Sequence, residues 1–252
     1  MRKGFTLAEV LITLGIIGVV AALVMPSLIA NYKKKVWVVQ LQKEISVWDN
    51  AMKLMLATDG VEYFNDTEFA KSVIDAGQNS FSSSDAHNLT KSKSEDILKK
   101  YLKIVKFTYN EDFVDAPDGY YCVGMLSGDD GGCTDGTLPA YMADGSAYGI
   151  SFSNLNASST ENLLNGNISI DVNGKNGPNR YGRDVFSFYV NRYGQLVPRY
   201  SQQAADYGWY YGYYWRNFIG ACGTPGSSDV STNVYGDGCA ARIIENGWVM
   251  DY

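Results

Sequence analysis

From Phe5 to Ile29 the chain carries one charged residue, Glu9. A helix crosses the hydrocarbon core of a bilayer in about 20 apolar residues, so this run is long enough to span one. An ordinary secretory signal fits the run poorly. Its basic start would be only Arg2 and Lys3, a charge sits in its first turn, and no small-residue cleavage site stands out near its end. A plain anchor explains the length but not the carboxylate, which costs about 2.5–3.5 kcal/mol inside a membrane on insertion scales. Glu9 therefore needs a task.

The stretch Lys3-Gly4-Phe5-Thr6-Leu7-Ala8-Glu9, ahead of the apolar run, resembles the signature of the prepilin family, shared by type IV pilins and type II secretion pseudopilins. The resemblance covers about the first 30 residues. It implies cleavage after Gly4 by a prepilin peptidase and N-methylation of the new terminus, Phe5. It implies that Glu9 pairs with a subunit's terminal ammonium during assembly, and that Pro26 loosens the helix beyond its apolar start. The physical chemistry agrees: a carboxylate and an ammonium in low dielectric each need a partner, and a helix's first turn favours negative charge. Proline removes a helix hydrogen bond, and Gly15 and Gly18 weaken the helix further. The implied partners are other pilin or pseudopilin subunits, the peptidase, an inner-membrane assembly platform and membrane lipid. The implied location is a single pass through a bacterial inner membrane, with the head in the periplasm or on a surface filament.

Charge does not by itself orient the span. Arg2 and Lys3 stand on one flank and Lys33, Lys34 and Lys35 on the other, so the excess of basic residues that marks a cytoplasmic flank is missing at the start. Long downstream domains translocate largely regardless of charge. The three lysines then either hold lipid headgroups or line a filament. The net charge of −6 argues against a nucleic-acid partner held by phosphate contacts.

Four cysteines form two local pairs, Cys122 with Cys133 and Cys222 with Cys239. None has C-x-x-C spacing, and the single histidine, His87, is distant in sequence, which disfavours zinc. Four cysteines allow three connectivities. The two local bridges are favoured because each closes a short Gly-rich loop. Each would stabilise by roughly 3 kcal/mol and would place the domain in an oxidising compartment.

Beyond the span, Leu41, Ile45, Trp48, Met52 and Met55 recur at helical spacing. One helix is expected from Phe5 to about Ala57, roughly 80 Å long. Residues 1–4 form a leader, 5–57 the assembly helix and 58–252 the exported head. Two short helices are expected next, one opening at Asn65–Glu68 and closing at Gly77, one opening at Ser94-Glu95-Asp96, with a Ser-rich loop from Gln78 to Lys93 between them. Then the period changes to two. Leu138–Ala143 and Ala147–Phe152 flank Asp144-Gly145 as a hairpin. Ile168–Val172 and Phe186–Val190 read as strands, and Asn191–Gly194 turns the latter into Gln195–Val197. Arg242-Ile243-Ile244 and Trp248–Met250 read as a last strand. The fold class is α+β and pilin-like: a long N-terminal helix packed on an antiparallel sheet.

Asp171, Asn173, Asn176 and Asp184 gather oxygen atoms that could hold calcium, as some secretion pseudopilins do in a head loop. The segment lacks EF-hand spacing, and Asn and Gly also serve tight turns. Asp129, Asp130 and Asp135 are a weaker set. The aromatic run Asp206–Trp215 reads as sheet strands or as a binding surface. No nucleophile, zinc-hydrolase or phosphate-loop motif appears, so the expectation is a non-enzymatic subunit without a required cofactor. The filament is a type II secretion pseudopilus or a type IV pilus. The alternative is an exported, membrane-anchored ligand- or carbohydrate-binding protein that uses the aromatic run.

Overall fold

The computed structural model describes residues 4, 6–74, 89–107, 138–154, 163–174, 176–207, 222, 236 and 238–252. The chain divides into two compact units, residues 1–36 and 37–252. Helix α1 runs through both, Leu7–Asp59. In the first unit its apolar side chains are exposed, Leu11 at 61% and Leu23 at 75%. It is the helix, among the described residues, that is long and apolar enough to cross a membrane.

In the second unit α1 is amphipathic. Trp37, Leu41, Glu44, Trp48, Met52 and Met55 are buried, a spacing of three and four that keeps one stripe against the core. The stripe is rotated from the expected one: Ile45 is only partly buried, and Glu44 takes its place inside. After a 3-10 turn, Phe64–Asp66, come helices α2, Glu68–Ile74, and α3, Leu89–Tyr101. Helix α3 starts five residues before the expected Ser94. That hydroxyl does not cap a helix; it is buried and bonded to the Ser72 hydroxyl of α2 at 2.8 Å.

Six strands follow among the described residues: β1 Ile104–Phe107, β2 Leu138–Met142, β3 Ala147–Asn154, β4 Leu163–Asp171, β5 Val185–Asn191 and β6 Leu196–Pro198. They pair in sequence order, every neighbour antiparallel. The registers Tyr148↔Ile170, Ile170↔Phe186, Ile150↔Ile168 and Ile168↔Phe188 put matching apolar side chains in rows across the sheet. That face meets the buried stripe of α1 in one core. On the other side of β5 and β6, Tyr189 and Val197 pack on Ala204 of helix α4, Gln202–Asp206.

The β5–β6 turn is docked on α1. Trp48 Nε1 donates to the Gly194 carbonyl at 2.8 Å. Gly194 has φ +74, and a Cβ there would lie 3.1 Å from Met52 Cβ, so both backbone and space demand glycine. The Asn191 side-chain oxygen accepts from the Tyr193 and Gln195 amides at 3.0 and 2.9 Å, an Asx-type turn.

The expected C-terminal strand is instead helix α5, Cys239–Glu245. Ala240, Ala241 and Ile243 are fully buried. Alanine is the best helix former, and it outweighs the β-branched Ile243-Ile244 pair. Trp248–Met250 form no strand.

Candidate assembly site and head-stabilising sites

The N-terminal site is built around the start of α1. Thr6 precedes the first helical residue and acts as its cap. The Glu9 amide donates to the Thr6 hydroxyl at 3.3 Å. In return the Thr6 amide and hydroxyl both donate to Glu9 Oε2 at 2.8 Å. This is a capping box, in which two ends of the first turn satisfy each other. Sequence reasoning assigned no role to Thr6, although Thr-x-x-Glu before an apolar run carries the pattern.

The box occupies one oxygen of Glu9. Oε1 has no hydrogen-bond partner among the described residues. The other polar side chains of the span behave differently. Thr13 and Ser27 return their hydroxyls to the Val10 and Val24 carbonyls, each at 3.0 Å, the usual way such groups are satisfied within a helix. Pro26 lies inside α1, which continues helically through it. It has no N–H to give to the Ala22 carbonyl.

Gly4 is exposed, and a Cβ there would meet nothing within 4 Å. The fold places no demand for glycine at that position. Gly15 and Gly18 likewise have open space around them, although each costs about 1 kcal/mol relative to alanine in a helix. Phe5 lies outside the described residues.

In the head, Glu44 of α1 is 1% exposed. Tyr148 of β3 donates to its Oε2 at 2.8 Å and to its backbone carbonyl at 3.2 Å. Lys43 Nζ lies 3.1 Å from Glu44 Oε1 and also pairs with Asp144 in the β2–β3 turn. Burial, reinforced by the Glu44 charge, pushes the Tyr148 phenol upward, so it remains a donor. Burial also raises Asp144, but Lys43 and two bonds from Ser146 outweigh it and hold the carboxyl at about 2. Helix and sheet are thus joined by a polar cluster in which Glu44 and Tyr148 are buried in the core while Lys43 and Asp144 lie at its exposed edge.

Cys222 and Cys239 form a disulfide with Cα atoms 4.9 Å apart. Arg242, one turn along α5, donates to the Cys222 carbonyl at 3.2 Å and pairs with Asp251 at 2.8 Å. Gly182 packs so close that a Cβ would lie 2.6 Å from Cys239 Sγ, and its carbonyl accepts from the Tyr252 hydroxyl at 2.8 Å. Cys122 and Cys133 lie outside the described residues, as do His87, Asp129, Asp130, Asp135 and residues 208–215 of the aromatic run.

Asp171, Asn173, Asn176 and Asp184 do come together, where the end of β4 approaches the start of β5. The Val172 amide donates to the Asp184 carbonyl at 2.9 Å. Asp184 is fully buried; its oxygens accept from the Asn179 and Arg180 amides at 3.0 and 2.9 Å. Asp171 Oδ1 accepts from the Asn173 amide at 3.1 Å. The Asn176 side chain donates to the Asn173 carbonyl at 3.0 Å, and that of Asn173 donates to the Asn176 carbonyl. These bonds make the segment a turn held by its own side chains. No group of three or more His, Cys, Asp or Glu residues suited to a metal occurs among the described residues.

No curated protein and no solved structure is significantly similar to this chain. Residues 1–25 match the prokaryotic N-terminal methylation motif, the prepilin-type signature.

Proposed function

We propose that this chain is a non-enzymatic structural subunit of a type II secretion pseudopilus or a type IV pilus-like filament. A prepilin peptidase cuts it after Gly4, and the new terminus, Phe5, is N-methylated. The subunit then leaves the inner membrane through an assembly platform and joins other pilin or pseudopilin subunits through α1, its head outside the cytoplasm. The observation that carries this reading is the Glu9 carboxylate. It sits at the head of an apolar span in which Thr13 and Ser27 satisfy themselves, and its Oε1 accepts no hydrogen bond among the described residues. A terminal ammonium from a subunit supplies the missing donor at about the right charge and size. Gly4 supports the reading because the fold does not require it. The Cys222–Cys239 disulfide supports an oxidising location for the head.

The test mixes epitope-tagged Glu9→Ala with wild-type subunits in cells that make the peptidase and the filament machinery. The variant should be cut after Gly4 like the wild type, yet be depleted at least about tenfold from sheared filaments, the loss expected for one charge-assisted bond. Incorporation at the wild-type ratio would defeat the ion-pair role.

A further inference from the structure

Helix α1 continues past Ile29 through Ala30 and Asn31 into Tyr32-Lys33-Lys34-Lys35. Tyr32 is 68% exposed. None of the three lysines makes an ion pair among the described residues. Successive helical residues are turned by about 100°, so three consecutive lysines fan through about 200° of the circumference, and Tyr32 extends the fan to about 300°. A protein partner meets a helix along one face. Tyr32, Lys33 and Lys35 are exposed and Lys34 is partly buried, so most of this fan faces the medium around the helix.

The depth agrees. At 1.5 Å per residue, the lysine Cα atoms lie about 6–9 Å along the axis beyond Ile29. The headgroup layer is about 5–7 Å thick on each side of the hydrocarbon. Tyrosine favours that interface, and lysine stems reach along it while the ammonium stays among polar groups.

We propose that Tyr32, Lys33, Lys34 and Lys35 form an interfacial collar that binds the phosphates of anionic phospholipids at the C-terminal flank of the span. The collar fixes the depth of α1 and makes extraction of the subunit from the membrane sensitive to salt and to lipid charge. It rests on the membrane-spanning reading of α1 and is independent of filament assembly.

The test reconstitutes the full chain in phosphatidylcholine vesicles carrying a trace of spin-labelled phosphatidylglycerol or spin-labelled phosphatidylcholine. Flotation with the vesicles is checked first; a chain that does not float removes the spanning reading and the collar with it. In a floating sample at about 0.01 M salt, the anionic probe should be immobilised at least about threefold more than the neutral one. At about 1 M salt, where screening acts within about 3 Å, the preference should vanish. It should also vanish in Lys33→Gln/Lys34→Gln/Lys35→Gln and persist in Arg2→Gln/Lys3→Gln. Equal immobilisation of the two probes by the wild type overturns the collar. So does a preference that survives the triple substitution, or one that is lost with Arg2 and Lys3. A salt-resistant preference would point to packing and would equally overturn it.

Discussion

Replacing Tyr148 by phenylalanine removes one hydroxyl from the core and leaves the ring in place. That hydroxyl donates to a carboxylate oxygen of Glu44 at 2.8 Å, on a side chain that is 1% exposed. Water cannot take over. A hydrogen bond to a charged group contributes about 1.5–3 kcal/mol, and an orphaned buried acceptor carries the full desolvation cost. The Lys43 contact to the other oxygen, 3.1 Å away, survives, but the oxygen that Tyr148 served is left buried without its donor. We expect Tyr148→Phe to destabilise the head by about 2–3 kcal/mol, or about 4–12 °C in Tm for a unit of this size. The assay is thermal and urea unfolding of the detergent-solubilised full chain, followed by near-ultraviolet circular dichroism. A second variant separates the charge from the packing. Glu44→Met/Tyr148→Phe exchanges both partners for apolar groups of similar size, which is often neutral. It should be more stable than Tyr148→Phe alone. A Tyr148→Phe shift below about 1 °C, or a double variant less stable than the single, would refute the reasoning.

Asp144 has its carboxyl held below its ordinary value, at about 2, because Lys43 and Ser146 outweigh its burial. Its contribution is therefore present above the unfolded value of 3.8 and is lost as pH falls from about 4 to about 2. Asp144→Asn should flatten the stability profile in that window, and an unchanged acid limb in unfolding curves would contradict the assignment. Gly194→Ala should destabilise by about 1–3 kcal/mol, because φ is positive and the new methyl group meets Met52 and Phe64. A denaturation midpoint equal to wild type would show that the β5–β6 turn is not pinned to α1 as described.

Much of this fold is legible where local chemistry and tertiary need agree. The Asp144-Gly145 and Asn191–Gly194 turns announce two hairpins, and the alternating residues on either side set their strands. The stripe along α1 is legible by its period, except that Glu44, a charged residue, occupies a core position that only Tyr148 and Lys43 make tolerable. Strand β1 escapes a pattern reading because it is short and at the sheet edge, with only Ile104 and Phe107 buried around exposed Val105 and Lys106. Helix α5 escapes a pattern reading because the β-branched pair Ile243-Ile244 favours a strand, while Ala240 and Ala241, which the fold buries, favour a helix. At the candidate site, Gly4 and Glu9 stand out by their place before and within an apolar run. Thr6 does not, since its part is a three-residue reach back from Glu9 that becomes visible only as geometry.

The account turns on whether the chain is processed as its first 25 residues suggest. The most direct measurement is the mass of the N-terminal peptide from the membrane-extracted protein, produced together with a prepilin peptidase. The account predicts a peptide that begins at Phe5 and carries one added methyl group on its amine. A peptide that begins at Met1, or one cut well beyond Ala22, would contradict it and would leave a plain anchor or a secretory signal in its place.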